Sequence, residues 1–210
     1  MVGIPRRYTN AALSDFDESA IGPAFSLVGR LQEIVPVEYS SFEHIPGSGF
    51  TGRVSIDQRR ELVGESGLTI VGPVGTGKTH LAAAIANALL EHDPRFPVAF
   101  ESAMRIVDDE RKAIETRKFH GWDHYEGMLI VDDISGIRPT DFALDTLARI
   151  VRVRYDECLP TVVTTHAAHD DLAELYGRAI ASRIVEFGPI VKLSGPDRRL
   201  EPPKGRKPAA

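Results

Sequence analysis

The sequence predicts an α/β fold, a parallel sheet sandwiched between two layers of helices, and three observations point to it. Short apolar, β-rich runs alternate along the chain with longer stretches of helical spacing, the order that builds parallel strands joined by crossover helices. One run, Met128-Leu129-Ile130-Val131, is apolar at every position, as expected of a strand covered on both faces. Between another run and a helical stretch stands Gly72-Pro73-Val74-Gly75-Thr76-Gly77-Lys78-Thr79. Its glycines can take backbone angles closed to other residues.

Each element follows from its residues. The opening, residues 1–17, contains Tyr8, Leu13 and Phe16, which could anchor an extended arm to the main body. Residues 21–34 carry Phe25, Val28, Leu31 and Ile34 or Val35 at helical spacing, and Pro36 would end that helix. Residues 36–67 are rich in Pro and Gly and read as a surface excursion with a short helix at 56–63. Within it Gly47-Ser48-Gly49-Phe50-Thr51-Gly52 spells a dinucleotide-type glycine pattern, read as coincidence because Pro46 precedes it and no strand enters it.

Leu68-Thr69-Ile70-Val71 is the first strand, and residues 80–91 form a helix with Leu81, Ile85 and Leu89 on one face. Residues 98–100 are a second strand and 102–118 a helix. The apolar strand ending at Val131 follows, then a helix over 142–156 bearing Leu144, Leu147, Ile150 or Val151, and Arg154 or Tyr155. Residues 161–164 and 190–193 are the last strands, with a single helix expected over 171–187 between them. The domain division is therefore 1–67, an arm, helix and Gly/Pro-rich excursion packed on the core; 68–195, the core; and 196–210, a basic, proline-rich tail expected to be disordered beyond its first few residues.

The stretch from Gly72 through Thr79 to His80 matches, without interruption, the phosphate-loop pattern of nucleotide-binding proteins. It is read as an ATP site. Backbone N–H groups freed by the glycines, and the positive end of the following helix, would face the phosphates. Lys78 would bridge the β- and γ-phosphates, and the Thr79 hydroxyl would hold Mg²⁺. In open parallel sheets ligands sit at the carboxyl ends of strands, which directs attention to Asp132-Asp133 and to Thr164-Thr165-His166. Asp132 is expected to bind Mg²⁺, directly or through water. Asp133 could orient or deprotonate the attacking water, although aspartate is ~1.5 Å shorter than the glutamate usual in motor ATPases. Any of Thr164, Thr165 and His166 could contact the γ-phosphate or the water. Arg178 and Arg183 lie five positions apart on a helix, ~140° around its axis, and cannot serve one spot together. One of them could reach into a neighbouring subunit.

The totals narrow the classes further. The chain has 210 residues, a net charge of −5 and 42% hydrophobic content, which suits one substantial core and argues against a generally basic nucleic-acid coat. DNA contact would need a local patch. Arg149, Arg152 and Arg154 on one helix, and Arg111, Lys112, Arg117 and Lys118 on another, are the candidates, although the favoured reading of both groups is a solvated face. A lone Cys158 excludes an internal disulfide and fits a reducing cytoplasm. No apolar stretch is long enough for a membrane span.

Taken together, Gly72 to Ala82, Leu129 to Asp133, Ser182-Arg183-Ile184 and Ser194-Gly195-Pro196-Asp197-Arg198-Arg199 resemble the DnaC/IstB-like branch of the AAA+ ATPases. The likeness covers residues 68–200, and more weakly the leader 4–16. It implies a phosphate-loop NTPase sandwich of the AAA+ type, here without a full C-terminal helical lid. It implies that Lys78 and Thr79 bind ATP–Mg²⁺, that Asp132 holds the metal, and that Asp133 takes the catalytic acid position, where aspartate is tolerated in this branch. His166 falls where the branch usually has an asparagine that senses the γ-phosphate. Arg183 matches the arginine-finger position and Arg199 the sensor-2-like arginine. The resemblance also implies an ATP-dependent homo-oligomer that acts on single- or double-stranded DNA with a replicative helicase or a transposase. A second reading is an ATP-dependent binding switch with little or no hydrolysis. A phosphate-loop kinase would need an acceptor lid that the sequence does not contain.

Overall fold

The structure, a computed structural model, describes residues 3–33, 67–116, 121–125 and 127–199. The helix expected at 56–63, the glycine pattern at 47–52 and the end of the first helix at Pro36 lie outside the described residues. So do Arg117, Lys118 and residues 200–210.

Among the described residues five strands form one parallel sheet: β1 (Gly67–Val71), β2 (Val98–Ser102), β3 (Met128–Asp132), β4 (Thr161–Thr165) and β5 (Ile190–Lys192). Their spatial order is β2-β3-β4-β1-β5, so β1 pairs with β4 on one side and β5 on the other. Side chains alternate between the faces. Leu68, Ile70, Met128, Ile130 and Val162 join one core with α1 (Glu18–Glu33) and α2 (Lys78–His92). Leu129, Val131 and Val163 join the other with α3 (Ala103–Thr116) and α4 (Asp141–Asp156), together with Ala181 and Ile184. The three-layer α/β sandwich expected from the sequence is the fold observed. Among the described residues no helix is long and apolar enough to cross a membrane.

Two expectations about helices are corrected. The stretch 171–187 is not one helix but two, α5 (His169–Tyr176) and α6 (Arg178–Glu186). Gly177, at φ 80°, turns the chain between them, a backbone angle that a glycine adopts without strain. The first helix begins before residue 21 and is bent: Ile21 is non-helical (φ −121°, ψ 16°) just ahead of Pro23, which has no N–H to give. Its buried stripe is Ile21, Ala24, Leu27, Val28 and Leu31, whereas Phe25, expected inward, is exposed.

The arm before α1 is fixed to α2 by polar contacts. Asn87 Nδ2 donates to the carbonyls of Tyr8 (3.1 Å), Thr9 (3.3 Å) and Ala11 (2.8 Å). Leu13 is buried, and Tyr8 and Phe16 meet the His80 ring edge-on at 5.7 and 5.5 Å.

Candidate functional site

Residues 72–77 connect β1 to α2 in a tight loop. Gly75 and Gly77 sit at φ 80° and 101°, which side chains other than glycine's rarely tolerate. A methyl group at Gly75 would also strike the Asp197 side chain, because residues 195–199 fold over the loop and the Arg198 N–H donates to the Gly75 carbonyl (3.1 Å). Pro73 and Val74 form the exposed crest. Thr76 turns inward and donates to the Pro73 carbonyl (2.9 Å).

Lys78 Nζ donates to the carbonyls of Gly72 (2.8 Å) and Pro73 (2.7 Å). Burial lowers its pKa, while the carboxylates of Asp133 and Asp132 oppose that shift and Arg199 adds to it. The ammonium therefore lies within the field of both acids. Phosphate oxygens would offer it a stronger, charged acceptor than two neutral carbonyls do.

The loop meets the end of β3 across β4. Thr79 Oγ1 lies 3.1 and 3.2 Å from the Asp132 carboxylate oxygens, and donates there. Thr164, on the strand between, donates its hydroxyl to Asp132 Oδ1 (2.7 Å) and accepts the Asp133 N–H (2.8 Å). Burial raises the Asp132 pKa, with the bonds from Thr164 and Thr79 pulling the other way. A hydroxyl and a buried carboxylate in contact are hard oxygen donors, the set that suits Mg²⁺, so the residues present fit that ion.

Thr164 and Thr165 are 1% and 0% exposed, and their hydroxyls are engaged within the protein. Contact of either side chain with a γ-phosphate, allowed from the sequence, is therefore withdrawn. Thr164 ties the two acids together instead. Thr164→Val keeps the shape but strips Asp132 of a donor and the Asp133 N–H of its acceptor. It is expected to cost ~1–3 kcal/mol in urea unfolding, with Thr164→Ser recovering most of it.

His166 is exposed, and its Nδ1 lies 3.0 Å from Asp133 Oδ1 and 2.9 Å from Ser135 Oγ. Asp133 itself has φ 55°, uncommon for a residue with a side chain. Ser135 was invisible to motif reading, since only the fold brings it to the end of β4.

A cleft beside the loop is lined by Arg7 and Tyr8 of the arm, by Gly75 and residues 77–80, and by Arg198 and Arg199. His80 thus faces the cleft while its Nε2 meets Asp15 Oδ2 (2.7 Å). Hydrogen bonds from the Ala12 N–H and from His80 lower the Asp15 pKa. Arg199 is brought to the loop. Arg183 is not: its contacts are Asp156 (3.9 Å), the face of Tyr155 and the Ala179 carbonyl. Arg178 is exposed on the same helix.

The proposed basic patches change character. Arg154 is fully buried and donates to the carbonyls of Trp122, Tyr125, Gly127 and Pro160 and to Thr161 Oγ1, so it cannot contact DNA. Arg149 is held by Glu110 (2.7 Å) and Asp123. Arg152, Arg111 and Lys112 remain at the surface.

A parallel sheet with a glycine loop between β1 and α2, and an acid one strand away touching that loop's threonine, defines a phosphate-loop NTPase fold. Comparison with known proteins narrows this. Residues 61–188 match the family model described as the bacterial DnaA ATPase domain, and the chain belongs to that family, within the AAA+ ATPases. The chromosomal replication initiator protein DnaA of Lactiplantibacillus plantarum is 27% identical over 133 residues, which is 62% of this chain and 29% of that protein. This chain thus spans less than a third of the length of that curated relative.

Among solved structures, the DnaC helicase loader superposes with a TM-score of 0.66 at 21% identity, covering 90% of this chain and all of that one. A replication initiator DnaA bound to AMPPCP and single-stranded DNA superposes at 0.61 with 17% identity, covering 92% of this chain and 51% of the other. At these identities the likeness concerns the fold, which is the DnaC-like AAA+ fold anticipated from the sequence.

Proposed function

We propose that the chain binds ATP with Mg²⁺ in the cleft beside residues 72–79 and hydrolyses it slowly, or under stimulation by DNA or a partner, as a helper in DNA replication. The observation that carries this reading is the contact between the Thr79 hydroxyl and the Asp132 carboxylate, bridged by Thr164. Gly72 to Gly77 would cradle the phosphates through backbone N–H groups, Lys78 would leave its two carbonyls for the β- and γ-phosphates, and Arg199 would add positive charge. Thr79 and Asp132 would hold the ion, which supplies electrostatic stabilisation of the transferring phosphoryl group when bound.

Asp133 and His166, in contact at 3.0 Å, would together serve the attacking water. Arg183 would serve a neighbouring subunit, which fits contacts that lie on α4 and α6 rather than at its own loop. Turnover would then depend on homo-oligomer assembly. Replicative helicase loading is favoured over service to a transposase, because the relatives carry replication-initiator names. Single- or double-stranded DNA would be contacted through local charge such as Arg152, Arg111 and Lys112, and the setting would be cytoplasmic. Residues 1–67 would supply the arm, helix and Gly/Pro-rich excursion packed on a core spanning 68–195, followed by the tail 196–210.

The test is steady-state ATP turnover with and without single-stranded DNA, on wild type and Lys78→Ala. DNA-stimulated turnover that the substitution lowers at least ~10²-fold supports an ATPase. The second reading, a binding switch, is favoured by one feature: Asp133 is already engaged by His166. Tight ATP binding without turnover under any condition would select it.

A further inference from the structure

We infer that Asp133 and His166 act as a dyad, with His166 Nε2 as the general base for water and Asp133 as the carboxylate that orients it; this rests on the hydrolytic reading above. Aspartate at position 133 is one carbon shorter than the acid usual for this role, and a ~1 Å misplacement costs on the order of a hundredfold. The imidazole of His166 would supply the missing reach. Asp133 Oδ1 meets the near nitrogen of the imidazole at 3.0 Å, and the ring extends the carboxylate outward.

Three further contacts fix the ring. Ser135 Oγ lies 2.9 Å from the same Nδ1 and accepts the His166 backbone N–H (3.2 Å), while Thr165 Oγ1 donates to that serine oxygen (2.9 Å). Below them, Asp133 is set by its own backbone, its N–H on Thr164 and its φ at 55°. Asp133 Oδ2 packs so closely on Gly136 that a methyl group there would overlap it. A strained backbone held by surrounding contacts is what a site built for one geometry displays.

The chemistry sets the direction of the proton. A carboxylate only accepts hydrogen bonds, so the ring proton belongs on Nδ1 and the lone pair on Nε2. Nε2 has no partner among the described residues, and the side chain is 42% exposed. In the step, the water oxygen forms a bond to Pγ and the bond from Pγ to the β,γ-bridging oxygen breaks, its electron pair leaving with ADP. The water proton passes to Nε2. The imidazolium, steadied by Asp133, then returns that proton to the phosphate or to solvent.

Two measurements test the dyad. In the ¹⁵N spectrum of the imidazoles of the nucleotide-free protein at mildly alkaline pH, His166, assigned by its loss in His166→Asn, is expected to carry its proton on Nδ1, and Asp133→Asn to abolish that preference. A proton on Nε2 in the wild type overturns the inference. In turnover, His166→Asn restores the residue usual in this branch but cannot accept a proton. It is expected to lower kcat by ~10²-fold or more with ATP affinity unchanged. Adding Asp133→Glu to that variant should recover part of the loss by giving the carboxylate direct reach. A loss under tenfold in His166→Asn overturns the dyad and leaves the ATPase reading standing, whereas a wild type without turnover overturns the hydrolytic reading and the dyad with it.

Discussion

Replacing Arg154 by alanine is expected to lower the stability of the protein by ~3–5 kcal/mol, a large part of the ~5–15 kcal/mol typical of a domain. The guanidinium is wholly buried where α4 passes the starts of β3 and β4, and no carboxylate among the described residues accepts its hydrogen bonds. Four carbonyls and a threonine hydroxyl surround it, and two of those carbonyls belong to Trp122 and Tyr125. Burial pushes its pKa down to about 9, which still leaves it charged at neutral pH. Deleting it takes this donor from the carbonyls of Trp122, Tyr125 and Gly127, while Pro160 keeps the Leu129 N–H, and opens a cavity, each a known source of large losses. Arg154→Lys should recover little, because an ammonium has three donors at one point and cannot span acceptors arranged around a planar fork. Urea unfolding of the two variants measures this. Near-wild-type stability in Arg154→Ala would contradict the account.

Asp132→Asn is expected to separate function from stability. At neutral pH the buried Asp132 carboxylate is disfavoured in the folded state, since burial raises its pKa above the ordinary value. An amide keeps an oxygen for the hydroxyls of Thr79 and Thr164 and removes that penalty. The nucleotide-free variant should therefore melt at a higher temperature than wild type. The sign follows from linkage: a carboxyl with a raised folded pKa destabilises only when ionised. The gain should be present at neutral pH and shrink as pH falls through that raised value toward the unfolded one. In the same variant the stabilisation that Mg²⁺–ATP gives the wild type should disappear, and turnover should fall by ~10³-fold. Thermal melts with and without Mg²⁺–ATP, beside a turnover assay, read both effects. Equal stabilisation by Mg²⁺–ATP in variant and wild type would remove Asp132 from the metal site.

The short range of the signals explains which parts were legible. The loop at 72–79 and the strand ending at Asp132 are each specified within a few residues by glycine spacing and by an unbroken apolar run. Their meeting followed from the rule that ligands gather at the carboxyl ends of parallel strands. The break at Gly177 was legible in principle, but helical spacing on either side of it masked the turn. Arg154 fell at the spacing of Leu147 and Val151, which placed it on the inward face; its charge suggested the surface instead. The acceptors that make burial tolerable come from residues 122–127 and 160–161, and no local pattern announces them.

By itself the sequence determined the layers of this protein, the position of its phosphate loop and the strand that carries its paired acids, because those depend on periodicity and on backbone angles set by neighbouring residues. Tertiary structure alone decided how the side chains at the strand ends are shared. Thr164 joins Asp132 to Asp133, Ser135 and Asp133 converge on His166, and residues 195–199 close over Gly75. Hydrogen bonds select partners by distance and direction in space, and residues about thirty positions apart in the chain acquire both only when the sheet has formed.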